Sequence, residues 1–175
     1  DSVRNGRYSS ITVVSGLCVK TCFNTFVPLI TKAGLFTMDK LYRVVIIDDD
    51  EFSADNLCLE LKKYNRLSID GMARNGANGR KLLEKVHPDL LFLDVELPDM
   101  KGMELLEQLR GAITWNMQIV FYTAYDKYMI YAIRGAAFDY LLKPIDKKEL
   151  EGIIDRFMKK AEESAAASLV IPPRV

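Results

Sequence analysis

The sequence contains few of the residues that build disulfide frameworks, zinc sites or hydrolase triads. Its three cysteines, Cys18, Cys22 and Cys58, form no Cys-x-x-Cys pair, which argues against zinc or a structural disulfide and favours a reducing, cytoplasmic location. The single histidine, His87, precedes Pro88, and we interpret it as a surface turn residue. Because a Gly-x-Ser-x-Gly motif and a second histidine are also absent, a serine hydrolase has no support.

Long apolar runs and an excess of charge are lacking as well. The best candidate for a membrane span, residues 11–36, is interrupted by Lys20, Asn24, Pro28 and Lys32, so no spanning helix is predicted. The 24 basic and 24 acidic residues balance, which indicates neither a nucleic-acid nor a membrane partner for this chain. A hydrophobic fraction of 49% with 27% charged residues is typical of a soluble globular protein.

Three segments differ in composition. Residues 2–38 contain no acid, and we consider a transit-like segment, a genuine extension, or sequence upstream of a native start at Met38, the last being favoured. We therefore predict an N-terminal extension of unclear origin over residues 1–38, one domain over 39–163, and a low-complexity C-terminal tail over 164–175.

Between the terminal segments, apolar runs of strand length alternate with amphipathic stretches of helical length. This alternation predicts an α/β fold, a (βα)5 doubly wound five-stranded parallel sheet covered by helices. The predicted strands are Tyr42–Ile47, Ile69–Ala73, Leu90–Leu93, Gln118–Tyr122 and Phe138–Leu142. The predicted helices are Phe52–Tyr64, Gly76–Val86, Gly102–Leu109, Lys127–Arg134 and Lys147 to about Glu163.

Polar residues follow four of these strands: Asp48, Asp49 and Asp50 after the first, then Asp94, Thr123 and Lys143. Right-handed crossovers place all the β-to-α turns at one edge of the sheet, where open α/β folds bind ligands. Mg²⁺ is held by one or two carboxylates, so Asp48 or Asp49 with Asp94 would suffice. Alternatively, the acids of residues 48–51 cap the following helix.

The same edge suits phosphoryl transfer. Asp94 could act as a nucleophile toward phosphorus, Lys143 could neutralise a phosphoryl oxygen, and Thr123 could donate its hydroxyl. This chemistry requires little beyond positioning and charge neutralisation, so the set is sufficient.

Four motifs stand in order along the chain: Ile46–Asp50, Leu93–Leu105, Tyr122–Ala124 and Phe138–Pro144. They resemble those of the receiver domain of two-component response regulators, over roughly residues 40–163. The resemblance implies a flavodoxin-like sheet with strand order 2-1-3-4-5. Residues 137–144 are most similar to the LytTR subgroup, whose receivers usually precede a DNA-binding output domain that regulates transcription; we expect that domain to be absent here.

When the roles of the family's motif residues are assigned to the matching positions here, the resemblance implies that Asp94 is the phosphoacceptor and Lys143 the phosphate-binding lysine. It implies a Mg²⁺ site formed by Asp48, Asp49, Asp94 and the backbone carbonyl of Glu96. Thr123 becomes the switch hydroxyl and Tyr140 the aromatic switch, while Glu96 and Tyr125 occupy positions thought to tune phosphoryl lifetime. Asp50 stands where the family often has Glu.

The resemblance also implies a partner and a restricted chemistry. A sensor histidine kinase would supply the phosphoryl group in a phosphorelay, and the chain would be no enzyme beyond self-catalysed phosphoryl acceptance and autodephosphorylation. The nearly all-apolar stretch Tyr128–Ile133 suits a homodimer through the face made by the fourth helix, fifth strand and fifth helix.

Two alternatives compete with this interpretation. A haloacid-dehalogenase-type phosphatase would use Asp48 as nucleophile and Asp50 as acid/base, but it would leave Asp94 without a role. A degenerate receiver would serve only as a docking module, although every key residue is present.

Overall fold

The computed structural model describes residues 40–124 and 137–168, together with four short strands nearer the N-terminus. The chain divides into two units, Asp1–Lys40 and Leu41–Val175. In the first unit, Val13–Val14 pairs with Leu17–Cys18 and Leu29–Ile30 pairs with Phe36–Thr37, both antiparallel. The extension over residues 1–38, the domain over 39–163 and the tail over 164–175 stay predictions.

The second unit contains the predicted parallel sheet. Its strands are β1 (Tyr42–Ile47), β2 (Leu67–Ala73), β3 (Leu90–Leu93), β4 (Gln118–Thr123) and β5 (Asp139–Leu142). They lie in the order 2-1-3-4-5, all parallel, as a doubly wound flavodoxin-like sheet requires. The predicted fold class is therefore confirmed.

Four helices occur in the described part of the chain. They are α1 (Glu51–Leu61), α2 (Gly76–Val86), α3 (Gly102–Leu109) and α4 (Lys147–Ser168). The helix predicted over 127–134 lies outside the described residues, so the last predicted helix is α4 here. It extends past Glu163 to Ser168 through an alanine-rich segment, consistent with the high helix propensity of alanine. None of the helices described is long and apolar enough to span a membrane.

The sheet is buried on both faces, as the continuous apolar strands predict. On one face, Val44, Ile46 and Phe92 pack with residues of α1 and α4. On the other face, Val45 and Leu91 pack with residues of α2 and α3. Because helices cover both faces, the carboxyl edge of the sheet is left for polar residues.

Candidate functional site

The predicted polar residues lie at the carboxyl edge, held there by hydrogen bonds that continue the sheet past its strands. The backbone N–H of Asp48 donates to Ala73 O at 3.0 Å, and that of Asp94 donates to Ile47 O at 2.8 Å. The N–H of Lys143 donates to Thr123 O at 2.8 Å. These bonds fix the backbone positions from which the side chains extend at this edge. The Lys143–Pro144 peptide bond is cis.

Three of the predicted side chains form one ionic cluster. The Lys143 ammonium donates to Asp94 Oδ2 at 2.6 Å and to Asp48 Oδ1 at 2.8 Å. The side chains are only 11%, 10% and 1% exposed for Lys143, Asp94 and Asp48. Two largely buried carboxylates therefore share one ammonium.

The electrostatics of this cluster favour an additional cation. Burial alone would lower the pKa of Lys143, but its hydrogen bonds to Asp48 and Asp94 outweigh burial and raise that pKa. Burial raises the pKa of Asp48 in spite of Lys143. Although Lys143 Nζ also lies 2.8 Å from Asp48 Oδ2, this buried oxygen has no hydrogen-bond donor. The ionised form of Asp48 therefore lowers the stability of the folded protein.

The acidic residues fit a divalent metal. One carboxylate oxygen from each of Asp48, Asp49 and Asp94 lies within 4.8 Å of the others. When ionised, three carboxylates against one ammonium leave two negative charges uncompensated, and Asp48 Oδ2, which accepts no hydrogen bond, is available as a ligand. An all-oxygen set with an exposed member suits Mg²⁺, which keeps several of its waters.

The acid triplet divides its roles between the cluster and the helix. Asp50 is the N-cap of α1: its carboxylate accepts from Phe52 N at 3.1 Å and from Ser53 Oγ at 2.5 Å. The Ser53 hydroxyl holds the pKa of Asp50 below its ordinary value. The capping alternative therefore applies to Asp50, while Asp48 belongs to the ionic cluster.

The loop from Asp94 to Gly102 is held by hydrogen bonds and an ion pair between its own residues. The N–H of Glu96 donates to Asp94 Oδ1 at 3.3 Å, and the N–H of Gly102 donates to Val95 O at 2.8 Å. Glu96 also forms an ion pair with Lys101 across an isolated β-bridge. Of these contacts, only the Glu96 N–H touches the Asp94 carboxylate: it donates to Oδ1, while Oδ2 accepts from Lys143.

Two residues of this loop were not predicted as site residues. Asp99 accepts from the backbone N–H groups of Gly76 at 2.7 Å and Ala77 at 2.9 Å, and so caps α2 from a neighbouring loop. A Cβ on Gly102 would lie 2.3 Å from the carbonyl oxygen of Asp94. Neither role has a local signal, because each depends on a residue brought close by folding.

We predict that Gly102→Ala destabilises the fold and displaces the Asp94 loop. The added methyl group must push against backbone, and overpacking of this kind costs about 1–3 kcal/mol. Gly152→Ala is the matched control: it lies within α4, where a Cβ would meet no backbone, only Nη1 of Arg156 at 3.3 Å, on a guanidinium that pairs with Asp139. There the same change should stabilise the helix by about 0.5–1 kcal/mol. Urea unfolding measures both; equal effects would contradict the close-approach argument.

The remaining predicted residues occupy their expected positions. Thr123 ends β4 and is fully buried, and Tyr140 lies in β5 and is half-buried. His87 is exposed at the C-cap of α2, with its ring 4.3 Å from that of Trp115. Tyr125 lies outside the described residues.

The fold and site together define an open α/β domain with an acidic, lysine-containing centre at its carboxyl edge. Residues 44–155 match the family model described as the response regulator receiver domain. The chain belongs to this family.

Curated relatives support the assignment. The chain is 35% identical over 129 residues to the transcriptional regulatory protein BtsR of Escherichia coli K12, covering 74% of this chain and 53% of that protein. It is 34% identical over 128 residues to a response regulatory protein of Vibrio cholerae, covering 73% of this chain and 53% of that protein. The chain thus spans about half the length of these relatives.

Solved structures show the same fold. The receiver domain of AraT from Geobacillus stearothermophilus aligns with a TM-score of 0.62 and 26% identity, over 71% of this chain and 98% of that one. The response regulatory domain of mrkE from Klebsiella pneumoniae aligns with a TM-score of 0.61 and 25% identity, over 69% and 98%.

Proposed function

We propose that the domain is a phosphorylation switch in which Asp94 accepts a phosphoryl group from a phosphohistidine of a sensor histidine kinase. The observation that carries the proposal is the cluster itself: Asp94 lies at a strand end, within 2.6 Å of the ammonium of Lys143 and beside Asp48. A nucleophile, a fixed cation and a metal-binding carboxylate are the parts that phosphoryl transfer needs.

The chain's own residues have distinct tasks in this transfer. A carboxylate oxygen of Asp94 forms a bond to phosphorus as the phosphorus–nitrogen bond to the kinase imidazole breaks, and the imidazole leaves. Lys143 is positioned to move its hydrogen bond from the Asp94 carboxylate to a phosphoryl oxygen. The N–H of Glu96 already contacts Asp94 Oδ1, which limits the carboxylate's rotation.

Mg²⁺ is the proposed cofactor, held by Asp48, Asp49 and Asp94, with the backbone carbonyl of Glu96 as a further ligand. Bound there, it would supply charge neutralisation at the phosphoryl oxygens. The support is the fit of the carboxylate oxygens, which lie within 4.8 Å of one another, and the oxygen of Asp48 that accepts no hydrogen bond.

The switch would act through Thr123 and Tyr140. The backbone carbonyl of Thr123 accepts a hydrogen bond from the N–H of Lys143, which belongs to the ionic cluster. Tyr140 lies in β5, the strand next to β4, and lines a pocket with Gly152 and Ile153 of α4, so a rearrangement at Thr123 would reach the proposed dimer face through Tyr140. We propose that the output of the full protein is transcription regulation, in line with the name of the transcriptional regulatory protein BtsR. The LytTR type is proposed from the resemblance of residues 137–144 alone.

Phosphopeptide mapping tests the function. The protein is incubated with acetyl phosphate and Mg²⁺, its intact mass is measured, and the modified residue is located by tandem mass spectrometry. A single phosphoryl group on Asp94 supports the switch. Modification of Asp48, or continuous release of phosphate from general monoesters, would support the phosphatase instead, and no adduct in any condition would leave only the docking module.

The geometry argues against the phosphatase. Asp50, its required acid/base, is held as the cap of α1 by Phe52 and Ser53. Asp48, its required nucleophile, is 1% exposed.

We predict that Lys143→Met lowers the rate of phosphorylation by roughly 10²- to 10³-fold, the usual effect of removing one preorganised donor from a transition state. Methionine has an unbranched side chain like lysine, only one atom shorter, but it carries no charge. Lys147→Met is the control, because its ammonium lies on the surface 3.1 Å from Glu60, away from the cluster. Stopped-flow or timed mass measurements give both rates; similar rates for the two variants would refute the role of Lys143.

A further inference from the structure

An open groove lies at the β2 edge of the sheet, opposite the β5 edge, and has no role in the proposed switch. It has a volume of about 610 Å³ and lies between the end of β2 and α2. Its apolar lining comes from Met72 and Leu82, and its polar lining includes the amide of Asn78. Met72, in β2, is 44% exposed and offers apolar surface to an occupant.

The groove is basic. Arg74, Lys81 and Lys85 line it, and no acidic residue does. Arg74 is paired with Glu51 at 2.8 Å, and the nearby Glu84 is paired with Arg80 at 3.0 Å. Within residues 40–124 and 137–168, Lys81 and Lys85 have no ion-pair partner. Two like charges one helical turn apart repel each other. An anionic occupant would reduce this repulsion between the ammonium groups of Lys81 and Lys85.

The groove borders a strand edge. In the described sheet, β2 pairs only with β1, so its outer edge offers backbone N–H and C=O groups to an added strand. The helix α2 packs directly on this strand: a Cβ on Gly71 would lie 2.8 Å from Leu82 Cδ1. An added strand would therefore lie beside the lysines of α2.

The spacing of the two lysines along α2 matches the spacing of side chains on one face of an extended strand. Lys81 and Lys85 are four residues apart, which is about 6 Å along a helix. Alternate residues of an extended strand, which point to the same face, are about 6.8 Å apart. Acidic side chains at alternate positions of a strand can thus reach both ammonium groups.

We propose that this groove binds an extended peptide segment of a partner protein, with acidic residues at alternate positions, which adds to the edge of β2. Charge identifies the occupant. Neither terminal segment of this chain, residues 2–38 or 164–175, contains an acidic residue, so neither offers the complementary charge. A second copy pairing edge to edge would bring its own Lys81 and Lys85 to the same place, where like charges repel.

Fluorescence anisotropy with the full 175-residue protein tests the proposal. The probe is a fluorescein-labelled peptide of alternating glutamate and valine, and the comparison peptide has the same composition with its glutamates in one block. The double variant Lys81→Glu, Lys85→Glu should bind the alternating peptide about 5- to 30-fold more weakly, the effect of losing two ion pairs. The double variant Lys62→Glu, Lys159→Glu changes the net charge equally at exposed lysines elsewhere and should bind normally.

Hydrogen exchange and sedimentation complete the test. Backbone amides of β2 should exchange more slowly when the alternating peptide is bound, because an added strand protects the edge. Equal weakening in the two double variants, equal binding of the two peptides, or unchanged exchange in β2 would overturn the proposal. A dimer of the free protein that the Lys81, Lys85 variant abolishes would assign the groove to a second copy instead.

Discussion

Replacement of Asp94 by asparagine is expected to abolish the phosphoryl adduct entirely. An amide has nearly the size of a carboxylate but is no nucleophile toward phosphorus, so the transfer loses its acceptor. The fold should persist, because the change removes one of two largely buried carboxylates that share the ammonium of Lys143. Intact mass after incubation with acetyl phosphate and Mg²⁺ measures the result.

Asp55→Asn is the matched control for this experiment. Asp55 lies exposed on α1, so the same chemical change there should leave the adduct intact. An adduct of undiminished yield in Asp94→Asn would reject Asp94 as the acceptor. Loss of the adduct only in Asp48→Asn would instead favour the phosphatase arrangement.

Replacement of Asp48 by asparagine is expected to stabilise the metal-free protein while removing its response to Mg²⁺. Burial raises the pKa of Asp48 above its ordinary value of 3.8, so the folded state loses stability as the pH rises from that value through the raised pKa. At neutral pH the ionised carboxylate therefore costs stability. Single stabilising substitutions commonly give about 0.5–2 kcal/mol, and we expect Asp48→Asn to fall in this range.

Thermal unfolding with and without Mg²⁺ separates the two effects. The wild type should gain stability with Mg²⁺ by mass action, about 2.7 kcal/mol at a hundredfold excess over the dissociation constant. Asp48→Asn should start from a higher midpoint and respond little. Asp49→Asn is the control, since Asp49 is exposed: it should weaken the response to Mg²⁺ without raising the midpoint. A metal-free Asp48→Asn that is less stable than the wild type would contradict the cost assigned to Asp48.

The sheet was predictable because its signal is local. The buried strands β1, β3 and β4 contain the continuous apolar runs 44–47, 90–93 and 119–122, and a polar residue, Asp48, Asp94 or Thr123, ends each run. The boundaries of α2 and α3 were predicted correctly. The end of α1 was placed too late, at Tyr64 instead of Leu61, because apolar periodicity continues after the backbone has turned.

The role of each acid in the triplet was less predictable. The residues Asp48, Asp49 and Asp50 are adjacent and chemically identical, so the sequence left both metal binding and capping open. Asp50 falls at the N-cap of α1, while Asp48 continues β1 and is buried. The division follows from where the strand ends and the helix begins, to within one residue.

The sequence by itself determined the chemistry available at the carboxyl edge: strand periodicity placed an acid triplet, Asp94, Thr123 and Lys143 after successive strands. Only the tertiary structure decided which groups touch. Lys143 reaches Asp48 across 95 positions of sequence and Asp94 across 49. Gly102 and Asp99 gained their roles in the same way, through close approach of the Asp94 backbone and of the start of α2. Such contacts depend on how the sheet and its helices pack, and no local pattern encodes them.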